Sequence, residues 1–153
     1  MTVDRRALEW HAHLARRVRL SGSKEAAVAE AADRSSVSRR VLGAIIGAEM
    51  IARPRAQRLA EFAAFLVLCA AWPARARRMT LGPAQVRVGG SPAAGILATM
   101  AEGWRLMSWP HACTVAAGII ARSPRPDPET VCRHYNGPQC SENYVALVQV
   151  LSK

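Results

Sequence analysis

Acidic and aromatic side chains are both scarce: 11 Asp+Glu stand against 21 Lys+Arg in 153 residues, and aromatics make up 5%. With few aromatics and few β-branched runs to build strands, the Ala-rich stretches Ala26–Ala32 and Ala60–Ala71 favour helix over sheet. Nothing repeats at a solenoid period, and no segment has the composition of a disordered tail. The first 20 residues carry Asp4, Arg5, Arg6, Glu9, Arg16, Arg17 and Arg19, which leaves no apolar core for a secretory signal. The longest apolar run, Phe62–Trp72, falls short of the roughly 20 residues a bilayer span needs and reads as a buried core helix. Cys69, Cys113, Cys132 and Cys140 include no CxxC pair, so His111, His134 and these thiols make a poor zinc site, and no metal or other cofactor is expected. Cys69 and Cys113 read as small buried hydrophobes, whereas Cys132 and Cys140 bracket a turn and could form a local disulfide in an oxidising compartment.

Half of the residues are apolar, enough for one compact domain with its own core. The net charge of +10 comes mainly from arginine and calls for an anionic partner, which nucleic acid, anionic lipid and cell-wall polymer all satisfy. Hydrophobic periodicity and capping signals predict about eight helices. They fall near Val3–Leu20, Lys24–Asp33 (capped by Ser23), Ser36 to Pro54, Ala56–Ala71, Ala93–Met107, Pro110–Arg122, Asp127–His134 and Glu142–Leu151 (capped by Ser141). A basic loop with Arg75, Arg77 and Arg78 separates the halves, a short hairpin is allowed near Gln85–Val88, and Tyr135–Pro138 reads as a turn.

Glu49 is the only acidic residue of the apolar stretch Val41–Ile51, on a helical face with Leu42, Ile45 and Ile46. Burial there would favour its protonated form, the state a glycosidase needs in order to protonate a leaving sugar oxygen. An ordinary ion pair at the edge of the stripe is the plainer alternative. Downstream come Gly82-Pro83-Ala84-Gln85 and then Tyr135-Asn136-Gly137.

A Glu ending an apolar helix, a Gly-x-x-Gln loop and Tyr-Asn-Gly before a final helix, in that order, resemble the lytic transglycosylase and goose-type lysozyme-like family. The resemblance extends from about Val41 to Tyr144 and includes Arg53-Pro54 after the Glu and the Thr80–Gln85 loop. It implies an all-α, lysozyme-like fold over residues 1–153, with N-terminal helices in 1–35 and the catalytic core in 36–153. It also implies cleavage of the β-1,4 bond between N-acetylmuramic acid and N-acetylglucosamine in peptidoglycan. Glu49 would be the acid, and Gln85, Tyr135 and Asn136 would contact substrate. Taken singly, Gln85 is an exposed loop amide and Tyr135-Asn136 an ordinary turn. In the transglycosylases one Glu suffices, because the same residue later acts as base and yields a 1,6-anhydro end. Glu61 and Glu102 fall in no family motif, though either could fold into the cleft. The sequence departs from the family in Met50, where a serine usually follows the Glu, and in Gly-Pro-Ala-Gln for the commoner Gly-Leu-Met-Gln. The family places the expected site of action in the periplasm or at the cell wall, reached by non-classical export. Partners there would be glycan strands, and a secretion or phage-lysis apparatus or an inhibitor protein.

Two other classes compete. Val28–Ala32 followed by Ser36–Leu42 resembles a DNA-binding helix-turn-helix, but Asp33-Arg34-Ser35 replaces the turn glycine and the second helix is too apolar for a groove, so nucleic acid is not the expected partner. A non-catalytic glycan or membrane-surface binder would use Arg75, Arg77 and Arg78 against anionic headgroups.

Overall fold

A computed structural model describes residues 13, 20, 22–89, 95–137 and 139–153. Apart from His13 and Leu20, the helix expected over Val3–Leu20 lies outside them, as does the cap expected at Ser91-Pro92. The described residues form an all-α fold of eight helices with one small hairpin. The helices are α1 (Ser23–Arg34), α2 (Arg39–Ala52), α3 (Arg55–Ala71), α4 (Pro73–Ala76), α5 (Ile96–Leu106), α6 (Trp109–Ile120), α7 (Pro128–Asn136) and α8 (Glu142–Leu151). Strands β1 (Thr80–Leu81) and β2 (Val86–Arg87) pair antiparallel, Thr80 opposite Arg87 and Leu81 opposite Val86.

α2 is the centre of the molecule. Ser38 caps it, its hydroxyl accepting from the Val41 amide, and Arg53 ends it in an extended conformation. The cause is Pro54, which excludes the residue before it from helix. Between those ends α2 is packed by α1, α6 and α8. Leu42, Ile45, Ile46 and Ala48 are wholly buried, and each large aliphatic side chain withdrawn in this way contributes about 1.5–3 kcal/mol. A helix with most of its residues buried has little surface to offer a DNA groove; its two basic residues, Arg39 and Arg40, stand exposed in its first turn.

α3 packs instead against α4, α5 and β1, while α7 joins α6 to α8. Close approach between α3 and α5 depends on Gly103, where a Cβ would lie 2.2 Å from the Phe65 ring. At the hairpin, Gly82 has φ 77° and a Cβ there would sit 1.9 Å from the Leu106 carbonyl oxygen, so only glycine fits on both counts.

Several sequence expectations change. The Phe62–Trp72 run is not a buried core helix: α3 buries only Phe65 and Cys69, and Val67 and Trp72 stand largely exposed. Of the two, α2 is the more enclosed, and α3 is covered on one side only. Gly22, not Ser23, occupies the cap position of α1 and makes no side-chain bond, and the next helix starts at Arg39 rather than Ser36. Part of the basic loop winds into the single turn α4, led by Pro73 at its first position. Tyr135 and Asn136 belong to the last turn of α7, which Gly137 ends at φ 89°. All four cysteines are free and buried. Burial is the main reason the Cys132 thiol is pushed up to about 12 and that of Cys113 to about 11, which keeps both protonated and unreactive. Asp127 and Ser141 cap α7 and α8 as expected, accepting from the Thr130 and Tyr144 amides. No helix among the described residues is long and apolar enough to cross a membrane.

Candidate active site

Glu49 lies one turn before the Pro54 break, where the apolar face of α2 reaches the surface. Its residue surface is 6% exposed. Two neighbouring helices donate to the same carboxyl oxygen: the Tyr144 hydroxyl to Oε1 at 2.7 Å and the Asn136 amide nitrogen at a longer 3.4 Å. Local structure aims both donors. Tyr144 is the third residue of α8, its backbone amide fixed by the Ser141 cap at 3.2 Å, and Asn136 is the final residue of α7.

Burial raises the Glu49 pKa above its ordinary value, and the bonds from Tyr144 and Asn136 and the charge of Arg53 only partly offset it. Burial, followed by the nearby Glu49 charge, likewise pushes the Tyr144 phenol far up, so it remains a donor. Glu49 Oε2 accepts no hydrogen bond from the described residues. The arrangement therefore holds one oxygen in place and leaves the other to exchange a proton. Around it opens a shallow cavity of about 230 Å³ lined by Glu49, Ala52, Arg53, Asn136, Ser141 and Tyr144.

Gln85 occupies a second cluster. It ends the hairpin turn in the left-handed region at φ 50°, and its side chain is anchored on both ends. Thr80 Oγ1 donates to its Oε1 at 3.0 Å, while its Nε2 donates to the Gly82 carbonyl at 3.2 Å and to Glu61 Oε2 at 3.3 Å. Glu61 also accepts from Arg53 in a short salt bridge and from Gln57 at 3.2 Å. Arg53 thus joins the two clusters: it lines the Glu49 cavity and pairs with the carboxylate that holds Gln85.

Of the four residues singled out in the sequence, Glu49 and Asn136 are in direct contact. Tyr135 is close enough for the Glu49 charge to help raise its phenol, after burial, yet its hydroxyl is spent on the Ala84 carbonyl at 2.5 Å. It fixes the loop instead of touching the acid. Gln85 reaches Glu49 only through Glu61 and Arg53. Sequence reasoning missed Tyr144, the phenol that bonds the acid. The available signal was its position three residues after the Ser141 cap, in the first turn of the final helix, in a chain with just two tyrosines. Glu61 sits at the second cluster with both oxygens engaged. Among the described residues no three His, Cys, Asp or Glu side chains converge as a metal site would require.

No protein-family model, curated protein or solved structure matches this chain.

Proposed function

We propose that this protein cleaves the glycan strand of peptidoglycan between N-acetylmuramic acid and N-acetylglucosamine, with Glu49 as its single proton donor and acceptor. The observation that carries this reading is a buried carboxyl, raised in pKa, bonded on one oxygen by Tyr144 and Asn136 and bordering an open cavity. In the forward step protonated Glu49 gives its proton to the glycosidic oxygen. The C1–O bond breaks with its electron pair on the leaving sugar, and the substrate's own N-acetyl group shares the positive charge at C1. Glu49, now a carboxylate, then takes the proton from the 6-hydroxyl of the muramic residue as that oxygen bonds to C1. The product is a 1,6-anhydro end and the enzyme returns to its protonated form.

The state of the other carboxylates favours one acid over two. Glu61 is held by Arg53, Gln57 and Gln85, and Glu102 by His111 at 3.2 Å and Arg105 at 3.9 Å, which leaves neither free to activate water. A cavity this small and open suits a polymer crossing it better than a small molecule enclosed by it. The enclosure of α2 is a reason to prefer this reading to DNA binding. Mass spectrometry of digested peptidoglycan tests it. Wild-type protein should release muropeptides one water lighter than hydrolysis gives, and Glu49→Gln should release none while keeping its helical spectrum. Lysis undiminished in that variant would remove the proposal.

A further inference from the structure

Behind the Gln85 loop lies a second cavity of about 420 Å³, within the size range of sites that enclose small ligands. Lys24, Arg55 and Arg58 line it together with Leu59, Pro83 and Trp109, and among the described residues no carboxylate does. The three cations are not there for the helices that carry them. Lys24 is the second residue of α1, and Arg55 and Arg58 are the first and fourth of α3, positions where a positive charge works against the helix dipole. Nor does any of them form a salt bridge among the described residues. Lys24 sits 5.2 Å from the Trp109 ring, Arg58 spends a guanidinium nitrogen on the Arg53 carbonyl at 2.8 Å, and Arg55 makes no salt bridge with the described residues. Burial and the adjacent Arg55 charge lower the Arg58 pKa, with Glu61 pulling the other way. A pocket that gathers like charges over apolar walls is suited to an anion carried on a partly apolar chain.

We propose that this cavity binds the carboxylates of a peptide stem attached to the glycan strand that crosses the Glu49 groove. The proposal rests on the glycan-cleaving reading. The two cavities have no lining residue in common: Gly82 and Pro83 line the cationic one, and in the next two residues of the same turn the Ala84 carbonyl accepts from Tyr135 and the Gln85 amide donates to Glu61. Arg58, which lines the cationic cavity, donates to the carbonyl of Arg53, which lines that of Glu49, and this bond links the two. A stem anchored behind the turn would set the register of the strand over the acid.

Isothermal titration with a free stem peptide, and separately with inorganic phosphate, tests this on the whole chain. Wild-type protein should bind the peptide, and Lys24→Ala and Arg55→Ala should each weaken it at least about tenfold, the loss expected for one charge-assisted contact. Glu49→Gln should bind as wild type does. Arg55 is exposed and Lys24 half-buried, so both variants should melt cooperatively; if Lys24→Ala does not, Arg55→Ala decides. Phosphate binding as tightly as the peptide, or peptide binding indifferent to both substitutions, or no binding at all, would overturn the assignment. The two readings fail separately: peptide binding without lysis sinks the enzyme and keeps this site, and lysis without peptide binding does the reverse.

Discussion

α2 and α3 are both long and strongly apolar, yet they live in different surroundings. α2 buries eight of its 14 residues, Glu49 among them, whereas α3 buries two of 17 and leaves Leu59 52% and Val67 68% exposed. The difference is the size of the neighbours. α2 runs between α1, α6 and α8, while α3 leans on α4, α5 and a two-residue strand. Their carboxylates follow suit. Glu49 is buried with donors on one oxygen only, and its charged form is disfavoured. Glu61, on the half-covered helix, meets three polar donors that satisfy both oxygens. Apolar composition announces that a helix will pack somewhere; how much of it the partners cover decides which carboxyl group is buried and favoured in its protonated form.

That contrast can be attacked at several levels, beginning with the largest expected effect. Glu49→Gln should lower lysis by about 100- to 10,000-fold, as loss of a general acid does, while Glu61→Gln should lower it less than about tenfold, because Glu61 acts only by holding Arg53 and Gln85. Equal losses in muropeptide release would erase the distinction between the two acids. Chemical denaturation compares the helices themselves. Ile46→Ala in α2 should cost roughly 2–5 kcal/mol and Val67→Ala in α3 less than about 0.5, so similar midpoints for both would contradict their different burial.

Tyr144→Phe removes a donor that holds Glu49 and opposes its raised pKa. Lysis should fall about tenfold, and the pH at which activity declines on the alkaline side should move upward, since the protonated acid then persists further. A profile that only loses height would leave Tyr144 a packing role. The smallest effect is on stability. Where solution is acid enough to protonate Glu49 in the folded and unfolded chain alike, its burial carries no charge penalty. As pH rises through its raised folded value the native state must bury a charge, and stability falls. Relative to wild type, Glu49→Gln should therefore melt higher above that window, with the gap closing in acid. A gap independent of pH would mean the carboxyl is not desolvated as its surroundings imply.

Much of the architecture was legible along the chain because its signals are local. The Ser141 and Asp127 caps, the Trp72-Pro73 stop and the Pro54 break each act within a turn of themselves, and the helices begin or end beside them. Glu49 was visible for the same reason, as a lone acid in an apolar period. Errors arose where a neighbour outranked the local signal. Asn-Gly after Tyr135 suggested a turn, but contacts with α6 and α8 carry α7 on to Asn136.

By itself the sequence determined that this chain is helical, where most of its helices stop, and that one carboxyl group would stand among apolar residues. Only the tertiary structure decided that α2 rather than α3 is enclosed, that Tyr144 and not Tyr135 bonds the acid, and that Gln85 is held by Glu61. Caps and periodicity depend on residues three or four apart, whereas these contacts join positions as distant as 49 and 144, and no local spacing encodes which surfaces meet.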